Sequence, residues 1–292
     1  MSAKDLTALF KDDTFISLYK TGEKITGTFV KLLIDQSGIF AESRAQPDRP
    51  LVVLDSACGT GVVSSILHHG LDDRARKQWK LTCGDISEGM LNYTRARVEE
   101  EGWRNIEVKI VDAQKTELPS THFTHVFTAF AFQLVPQHQA VLDESLRILQ
   151  PGGTTAFTTW IEPGWESIME KAIETLPGNL PFPTSEEFLA ALGEGQWGSV
   201  PWIKSQLQQR GFVDIEVKAV TKRIQLTPKE MLEPCMMMFP LITKRFWSAE
   251  QREQHEAKVR PALAQYLEDS YGKDGVVPMD WVAILATARK AC

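Results

Sequence analysis

Residues 51–67, LVVLDSACGTGVVSSIL, decide the fold of this chain. The run Leu51–Leu54 is entirely apolar, which is the pattern of a parallel strand buried on both faces. Asp55 follows where this strand is expected to end, and apolar residues return at helical spacing from Val62 onward. Small residues occupy alternate positions between strand and helix: Ala57, Gly59 and Gly61. The stretch therefore predicts a strand, a tight turn and a helix, the first βα unit of a doubly wound sheet.

The small residues of the turn point to a bound cofactor, because a bulky ligand reaches the main chain only where side chains do not intervene. Dinucleotide-binding turns carry the pattern G-x-G-x-x-G. Counted from Gly59 the third glycine position is Ser64, and counted from Ala57 it is Val62, so the pattern fails in both registers. A cofactor without a pyrophosphate and an ordinary tight connection without a ligand both remain possible for the turn alone.

Two further acids follow predicted strands. The strand Trp79–Cys83 leads to Asp85, and the strand Ile106–Val111 leads to Asp112. The carboxyl ends of parallel strands share one edge of a sheet, where open α/β folds bind ligands. Asp85 is placed to accept hydrogen bonds from two ribose hydroxyls, and Asp112 from an adenine amino group. The flanking residues Ile86, Met90 and Ala113 are expected to border the adenine, Ala113 through its amide.

A fourth predicted strand, His125–Thr128, is followed by apolar residues that include Phe130. No polar N/D-P-P-Y motif follows this strand. Phe130 is predicted to lie against the cofactor, with a place in the core as the alternative. The helix Gln137–Leu149 and the strand Thr154–Trp160 come next, and the glycines of Gln150–Gly153 are expected to stop the helix.

The remainder of the chain does not continue the βα repeat. Residues 161–200 contain tryptophans, prolines and two short amphipathic pieces, and Thr227–Tyr271 is helical in pattern with a methionine cluster. Between these two segments we predict a helix at Trp202–Gln209 and a strand at Phe212–Val220. A last strand, Trp281–Ala288, follows them. We predict a core of residues 46–160, 201–226 and 277–292. Residues 1–45, 161–200 and 227–276 are predicted to form a helical lid.

Composition excludes several classes of protein. The 292 residues carry a net charge of −6 with only short basic clusters, which argues against nucleic acid as a partner. No segment is long and apolar enough for a signal peptide or a membrane span. The four cysteines are widely spaced, which favours reduced thiols and a cytoplasmic location. No metal site and no obligate protein partner are predicted, and we expect a monomer.

These motifs resemble those of class I S-adenosylmethionine-dependent methyltransferases. The resemblance rests on D-x-A-x-G-x-G from Asp55, on the acids Asp85 and Asp112, and on L-x-P-G-G before the fifth strand. It implies a Rossmann-like, doubly wound α/β fold with a seven-stranded sheet that ends in an antiparallel hairpin. It also implies S-adenosyl-L-methionine as cofactor, bound with the help of Asp55, Gly59, Gly61 and, from an N-terminal helix, Tyr19.

A narrower resemblance covers nearly the whole chain. Segments such as LTCGDISEGML, ETLPGNLPFPT, CMMMFP and QYLEDSYGKDGVVP resemble the fungal gliotoxin thiomethyltransferases. This implies S-methylation of small dithiols of the epipolythiodioxopiperazine type, with N- or O-methylation of another secondary metabolite as the alternative. A cofactor-binding regulatory protein without activity is a third hypothesis. The intact acids Asp55, Asp85 and Asp112 argue against it.

In-line transfer to a thiol needs alignment more than a base, since a thiol of pKa about 8.5 is partly ionised at neutral pH. We therefore assign no catalytic acid or base and interpret His125 and His138 as structural. The residues expected to form the walls of the substrate pocket are Phe15, Trp160, Trp165, Phe182 and Met237.

Overall fold

A computed structural model describes residues 13–292, with side chains from Gly22 onward. Its centre is one seven-stranded sheet in the order β3-β2-β1-β4-β5-β7-β6, in which only β7 runs antiparallel to its neighbours. The strands are β1 (Val52–Ser56), β2 (Lys80–Asp85), β3 (Ile106–Ile110), β4 (Phe123–Ala129), β5 (Leu149–Glu162), β6 (Phe212–Leu226) and β7 (Val277–Lys290). The predicted doubly wound sheet with a terminal antiparallel hairpin is confirmed.

The helices lie between and beyond these strands. Those of the repeating part are α1 (Asp13–Ser37), α2 (Ile39–Ala45), α3 (Val62–Gly70), α4 (Asp73–Gln78), α5 (Glu88–Glu100) and α6 (His138–Ile148). Those of the later part are α7 (Glu166–Glu174), α8 (Ser185–Leu192), α9 (Val200–Gln209), α10 (Pro228–Phe246) and α11 (Ala249–Tyr271). Among the described residues no helix combines the length and apolarity needed to cross a membrane.

The first helix is an element of the core. Its residues Phe29, Val30, Leu33 and Ile34 are completely buried, at helical spacing, against α3, β5 and β7. The same helix contacts α10, so it joins the sheet to that helix. Phe15 and Tyr19, which were expected to close over the site, have side chains outside the described residues.

Two local predictions are wrong. Asp55 lies within β1, which runs on to Ser56, and not after the strand. The helix α6 ends at Ile148 without the help of glycine, because Leu149 already has an extended conformation. The Pro-Gly-Gly segment forms the irregular beginning of β5, where the register with β4 shifts between Phe123 and His125. Its glycines therefore shape a strand entrance and do not stop a helix.

Candidate functional site

The turn after β1 holds its main chain open to a ligand. Ala57 and Gly59 both have positive φ angles of 54° and 53°, and Gly61 has 80° at the start of α3. A side chain on Gly61 would also lie 3.2 Å from the Thr94 hydroxyl oxygen. Thr94 in turn donates a hydrogen bond to the Gly59 carbonyl oxygen (2.9 Å), so α5 fixes the turn. Positive φ strains a residue with a Cβ, and Ala57 carries that strain at the cofactor turn.

Asp55 stabilises the turn through hydrogen bonds to the start of α3. Its Oδ2 accepts hydrogen bonds from the Ser64 amide (3.1 Å) and the Ser64 hydroxyl (2.6 Å), in the first turn of α3. Burial raises the pKa of Asp55 to about 7, against the lowering effect of the Ser64 hydrogen bonds. Asp55 borders a small recess together with Ala57, Cys58 and Phe130 and does not line the main cleft. In the structure it therefore orients α3.

Asp85 connects the turn to the next helix. The Gly59 amide donates to its Oδ2 and the Ser87 amide to its Oδ1, each at 2.9 Å. Only 8% of Asp85 is exposed, and this burial raises its pKa although both amides favour the charged form. Each carboxylate oxygen keeps acceptor capacity beyond one amide. The side chain lines the open cleft, so this capacity is available to a ligand.

That cleft lies at the carboxyl ends of β1, β2 and β3 and has an open volume of about 1080 Å³. The predicted cofactor residues that line it are Ala57, Gly59, Asp85, Ile86, Met90, Asp112, Ala113 and Phe130. Gly61 does not line the cleft. Its contribution is to the conformation of the turn. Sequence reasoning missed a further set from the segments after β3 and β4: Val111, Gln114, Ala129, Ala131, Leu134, Val135 and Pro136.

Asp112 is exposed at the rim of the cleft. Its Oδ1 accepts from both the amide and the side-chain nitrogen of Gln114, each at 2.9 Å. Gln114 Oε1 in turn accepts from the Gln137 amide at 2.8 Å. This chain of bonds holds the carboxylate and the neighbouring buried Ala113 at the end of the cleft predicted for the adenine.

Phe130 separates this cleft from a second cavity. Its φ of 55° is the left-handed conformation, an outlier for an aromatic residue, and its amide donates to Thr158. Its ring stacks on Trp160, with ring centroids 4.1 Å apart and an 18° angle between the planes. Phe130 and Leu134 line both spaces, so the two adjoin through these side chains.

The second cavity opens to solvent, and its space together with that open part measures about 900 Å³. Three predicted pocket residues line it: Trp160, Trp165 and Met237. Phe182 packs half-buried on the core and is not part of this lining, and the Phe15 side chain lies outside the described residues. The residues missed by sequence reasoning include Ile25, Thr26, Phe188 and Trp281. The apolar periodicity of α1 and α8 marked such residues only as core, whereas the methionine cluster of α10, which includes Met238, could be either core or the floor of a substrate pocket.

None of the side chains that line this cavity in the described part of the chain is ionisable. Its polar groups include the Gln133 amide, which donates to the Trp160 carbonyl oxygen (2.9 Å) and accepts from the Trp160 amide (2.7 Å). His125 is buried in the middle of β4, where burial and the positive Arg289 and Arg49 lower its pKa to about 3. His138 is buried against Trp197. Neither histidine lines the cleft or the cavity.

The residues present fit S-adenosylmethionine. A turn with an exposed main chain, a buried carboxylate at the end of β2 and an apolar pair formed by Ile86 and Met90 face one cleft. The acceptor capacity left on Asp85 suits ribose hydroxyls. The turn has no third glycine for a pyrophosphate, which agrees with a nucleoside ligand. Together with the sheet order, this site defines a class I S-adenosylmethionine-dependent methyltransferase.

Comparisons with known proteins agree. A family model described as a methyltransferase domain matches residues 53–153. Methyltransferase tpcH of Aspergillus fumigatus is 47% identical over 98% of this chain and 99% of its own length. The acetylaranotin bis-thiomethyltransferase of Aspergillus terreus is 44% identical over 100% of both chains. The chain therefore belongs to the methyltransferase family of these fungal proteins, and the predicted enzyme class and cofactor are confirmed.

Solved structures show the same fold at low identity. The YcgJ protein of Bacillus subtilis matches with a TM-score of 0.51 and 11% identity, covering 83% of this chain and 93% of that one. The [4+2]-cyclase SpnF matches with a TM-score of 0.51 and 16% identity, covering 91% and 81%. A cyclase on this fold illustrates that the fold alone does not fix the reaction.

Proposed function

We propose that this enzyme methylates thiol sulfurs of a small, uncharged molecule of the dithiol, epipolythiodioxopiperazine type. The observation that carries the proposal is the cavity beside the cofactor cleft, whose described lining has aromatic, aliphatic and methionine side chains and no ionisable group. A charged amine or carboxylate would lose its hydration there without a partner. The relative named acetylaranotin bis-thiomethyltransferase, similar over the whole chain, supports the same acceptor class.

The cofactor is held by the residues of the cleft in this proposal. Asp85 accepts from the ribose hydroxyls, Asp112 and the Ala113 amide contact the adenine, and Ile86 and Met90 flank it. When bound, S-adenosylmethionine supplies a methyl group on a positively charged sulfur, open to in-line displacement. Ala57 and Gly59 let the main chain approach that part of the cofactor.

The acceptor thiol lies in the cavity, against Trp160, Trp165 and Met237. A thiol of pKa about 8.5 is a few per cent thiolate at pH 7, so it loses its proton to solvent without a dedicated base. An alcohol or phenol of higher pKa gains far more from a base, and no such group lines the described cavity. The thiolate charge disappears on methylation, so an apolar cavity that excludes water favours the transfer. Phe130 and Trp160 align the two reactants.

In this proposal, the helical lid over the site consists of residues 1–45, 161–200 and 227–276. Three elements of these segments already line the cavity, α1 through Ile25, α8 through Phe188 and α10 through Met237. Their closure would shield the reacting atoms from water.

We also propose a monomer in the cytoplasm. Few large apolar side chains of the described residues are exposed, Ile110 and Val276 being the most exposed of them. The four cysteines are free, which suits a reducing compartment. Sedimentation of the purified protein tests the monomer.

The acceptor is tested with pairs of compounds that share one scaffold and differ only in carrying SH, OH or NH2. Methyl-labelled cofactor and mass spectrometry report which member is methylated, and a dithiol reports one or two transfers. We expect labelled thioethers, with a rate that rises with pH towards the pKa of the thiol. The Met237→Leu variant keeps the apolar volume and should retain activity, whereas Met237→Glu should abolish it.

Labelling of the phenols or amines without the thiols would overturn the thiol assignment and make the chain an O- or N-methyltransferase. This outcome is a real competitor, because the relative tpcH is named only as a methyltransferase. Failure of S-adenosylhomocysteine to bind in calorimetry would overturn every methyltransferase assignment together.

A further inference from the structure

Two helix ends bring together three side chains that commonly bind metals. His68 and His69 lie in the last turn of α3, and Glu101 follows directly after α5. One nitrogen or oxygen atom of each lies within 4.8 Å of the others. The cluster is remote from the site above, because α3 and α5 begin at the carboxyl ends of β1 and β2 and run back to the opposite edge of the sheet.

The spacing of these groups suits one tetrahedral ion. His69 Nε2 lies 3.5 Å from Glu101 Oε2. Two ligands that each stand about 2.0–2.1 Å from a tetrahedral ion are roughly 3.4 Å apart. The His68 and His69 ring centroids are 5.4 Å apart at an angle of 87°, and two imidazoles on one such ion have centroids roughly 5 Å apart. The separation of the two rings is thus compatible with both imidazoles binding one ion.

Neighbouring groups already orient two of the three side chains. His69 Nδ1 lies 2.7 Å from the Ser65 carbonyl oxygen, and the tautomer that donates this bond leaves the Nε2 lone pair free. Trp103 Nε1 donates to Glu101 Oε2 (2.8 Å), and its indole stacks on the His68 ring. Such outer bonds to histidine and carboxylate are typical of metal sites.

Charged groups of both signs surround the cluster. The carboxyl ends of α3 and α5 converge here, and each carries partial negative charge. The positive Arg76 donates to the His68 carbonyl oxygen, and Arg97 lies 3.8 Å from Glu101 Oε1, although its guanidinium donates to Glu23 at 2.7 Å. Glu101 Oε2 accepts one hydrogen bond, from Trp103, and keeps acceptor capacity for an ion.

We propose that His68, His69 and Glu101 bind one divalent transition-metal ion, Zn²⁺ being the best match, with water as the fourth ligand. Two nitrogens and one oxygen suit Zn²⁺ and do not suit Mg²⁺, which prefers oxygen ligands throughout. The ion would fasten the end of α3 to the end of α5 and take no part in methyl transfer. The histidines and Glu101 are distant in sequence, so no spacing motif indicates the site.

The experiment is isothermal titration of the full chain with Zn²⁺ and, separately, with Mg²⁺, followed by thermal unfolding with and without Zn²⁺. We expect one Zn²⁺ per chain, a raised melting temperature, and no response to Mg²⁺. His69→Gln and Glu101→Gln should each weaken Zn²⁺ binding at least tenfold and lose the thermal shift. Both side chains are exposed, so these variants should fold, and S-adenosylhomocysteine binding at the distant cleft checks that they do.

Two controls guard against other ligands of Zn²⁺. His122→Gln removes another exposed histidine, and Cys292→Ser removes the exposed thiol; both should keep full Zn²⁺ binding. Substitution with Co²⁺ should give tetrahedral absorption without a thiolate charge-transfer band. The proposal is overturned if the wild-type protein does not bind Zn²⁺, if His69→Gln binds it as tightly, or if Cys292→Ser abolishes binding.

Discussion

At the scale of single residues, Asp85 couples the glycine turn to the start of α5 and should control cofactor affinity. Both of its oxygens accept main-chain hydrogen bonds, from Gly59 and from Ser87. In Asp85→Asn one oxygen becomes an NH2 group that faces an amide donor, and the charged acceptor for the ribose is lost. A hydrogen bond to a charged group contributes about 1.5–3 kcal/mol, so S-adenosylhomocysteine should bind at least tenfold more weakly in calorimetry. Asp48→Asn, an exposed control, should bind normally; equal affinity of the Asp85 variant would refute the assignment.

Phe130 carries backbone strain at the boundary between the cleft and the second cavity. Its left-handed φ of 55° disfavours any residue with a Cβ, whereas glycine adopts it freely. Phe130→Ala loses the stacking on Trp160 and keeps the strain, and Phe130→Gly loses both. The free energy of unfolding of Phe130→Gly should therefore exceed that of Phe130→Ala by about 1 kcal/mol, and Phe130→Gly should have the higher melting temperature. Both variants should lose activity. An alanine variant as stable as the glycine variant would mean that the conformation is not strained.

At the scale of elements, a buried carboxyl joins α7 to α8, and α8 lines the second cavity. The Ser185 hydroxyl donates to Glu166 Oε2, while Glu166 is only 8% exposed. Burial, with the like charges of Glu162 and Glu170, raises the pKa of Glu166 from 4.5 to about 7 against the Ser185 bond. Because the folded state holds this proton more tightly, the stabilisation is complete below pH 4.5 and is lost as the pH rises through 7.

Hydrogen exchange of the α8 amides, corrected for their intrinsic rates, should therefore report weaker protection at pH 8 than at pH 5. Glu166→Gln does not titrate, so it should remove most of this pH dependence. Glu186→Gln, an exposed neighbour on α8, should leave the dependence unchanged. If the protection of the α8 amides declines equally with pH in wild type and in Glu166→Gln, the titrating group is a residue other than Glu166.

The sheet was predictable from sequence because its signals are local. An apolar run predicts β1, and an acid at the end of β2 or β3 needs only its own strand to be positioned. The second cavity was not predictable in the same way, since Ile25, Phe188 and Trp281 meet only through tertiary packing. Their periodicity looks like ordinary core. The left-handed Phe130 has no local signal either, because no glycine or asparagine marks the position.

At the scale of the whole molecule, stability as a function of pH is a sum of opposing buried groups. Asp55, with its pKa raised to about 7, favours the folded state towards acid, as Glu166 does. Glu144 has its pKa lowered to about 2, chiefly by its hydrogen bonds from Arg147, so its stabilisation is present above pH 4.5 and is lost between 4.5 and 2. The free energy of unfolding measured as a function of pH is therefore a sum in which the single contributions cannot be recognised. The difference between wild type and a variant at each pH separates them.

His125 offers the clearest of these differences, because it lies in β4 at the centre of the sheet and is 1% exposed. Burial lowers its pKa from 6.5 to about 3, so the unfolded chain binds a proton that the folded chain does not, and stability is lost as the pH falls through that window. Its Nε2 lies 3.6 Å from Glu42, but at neutral pH the imidazole is uncharged and this contact is no ion pair.

Relative to His125→Gln, wild type should lose about 2 kcal/mol of unfolding free energy between pH 6.5 and 5, above the range where Glu144 titrates. Urea unfolding at a series of pH values measures this loss, with His122→Gln, exposed in the same segment, as the control that should follow wild type. A constant difference between wild type and His125→Gln across the window would show that the folded protein accommodates the charged imidazole.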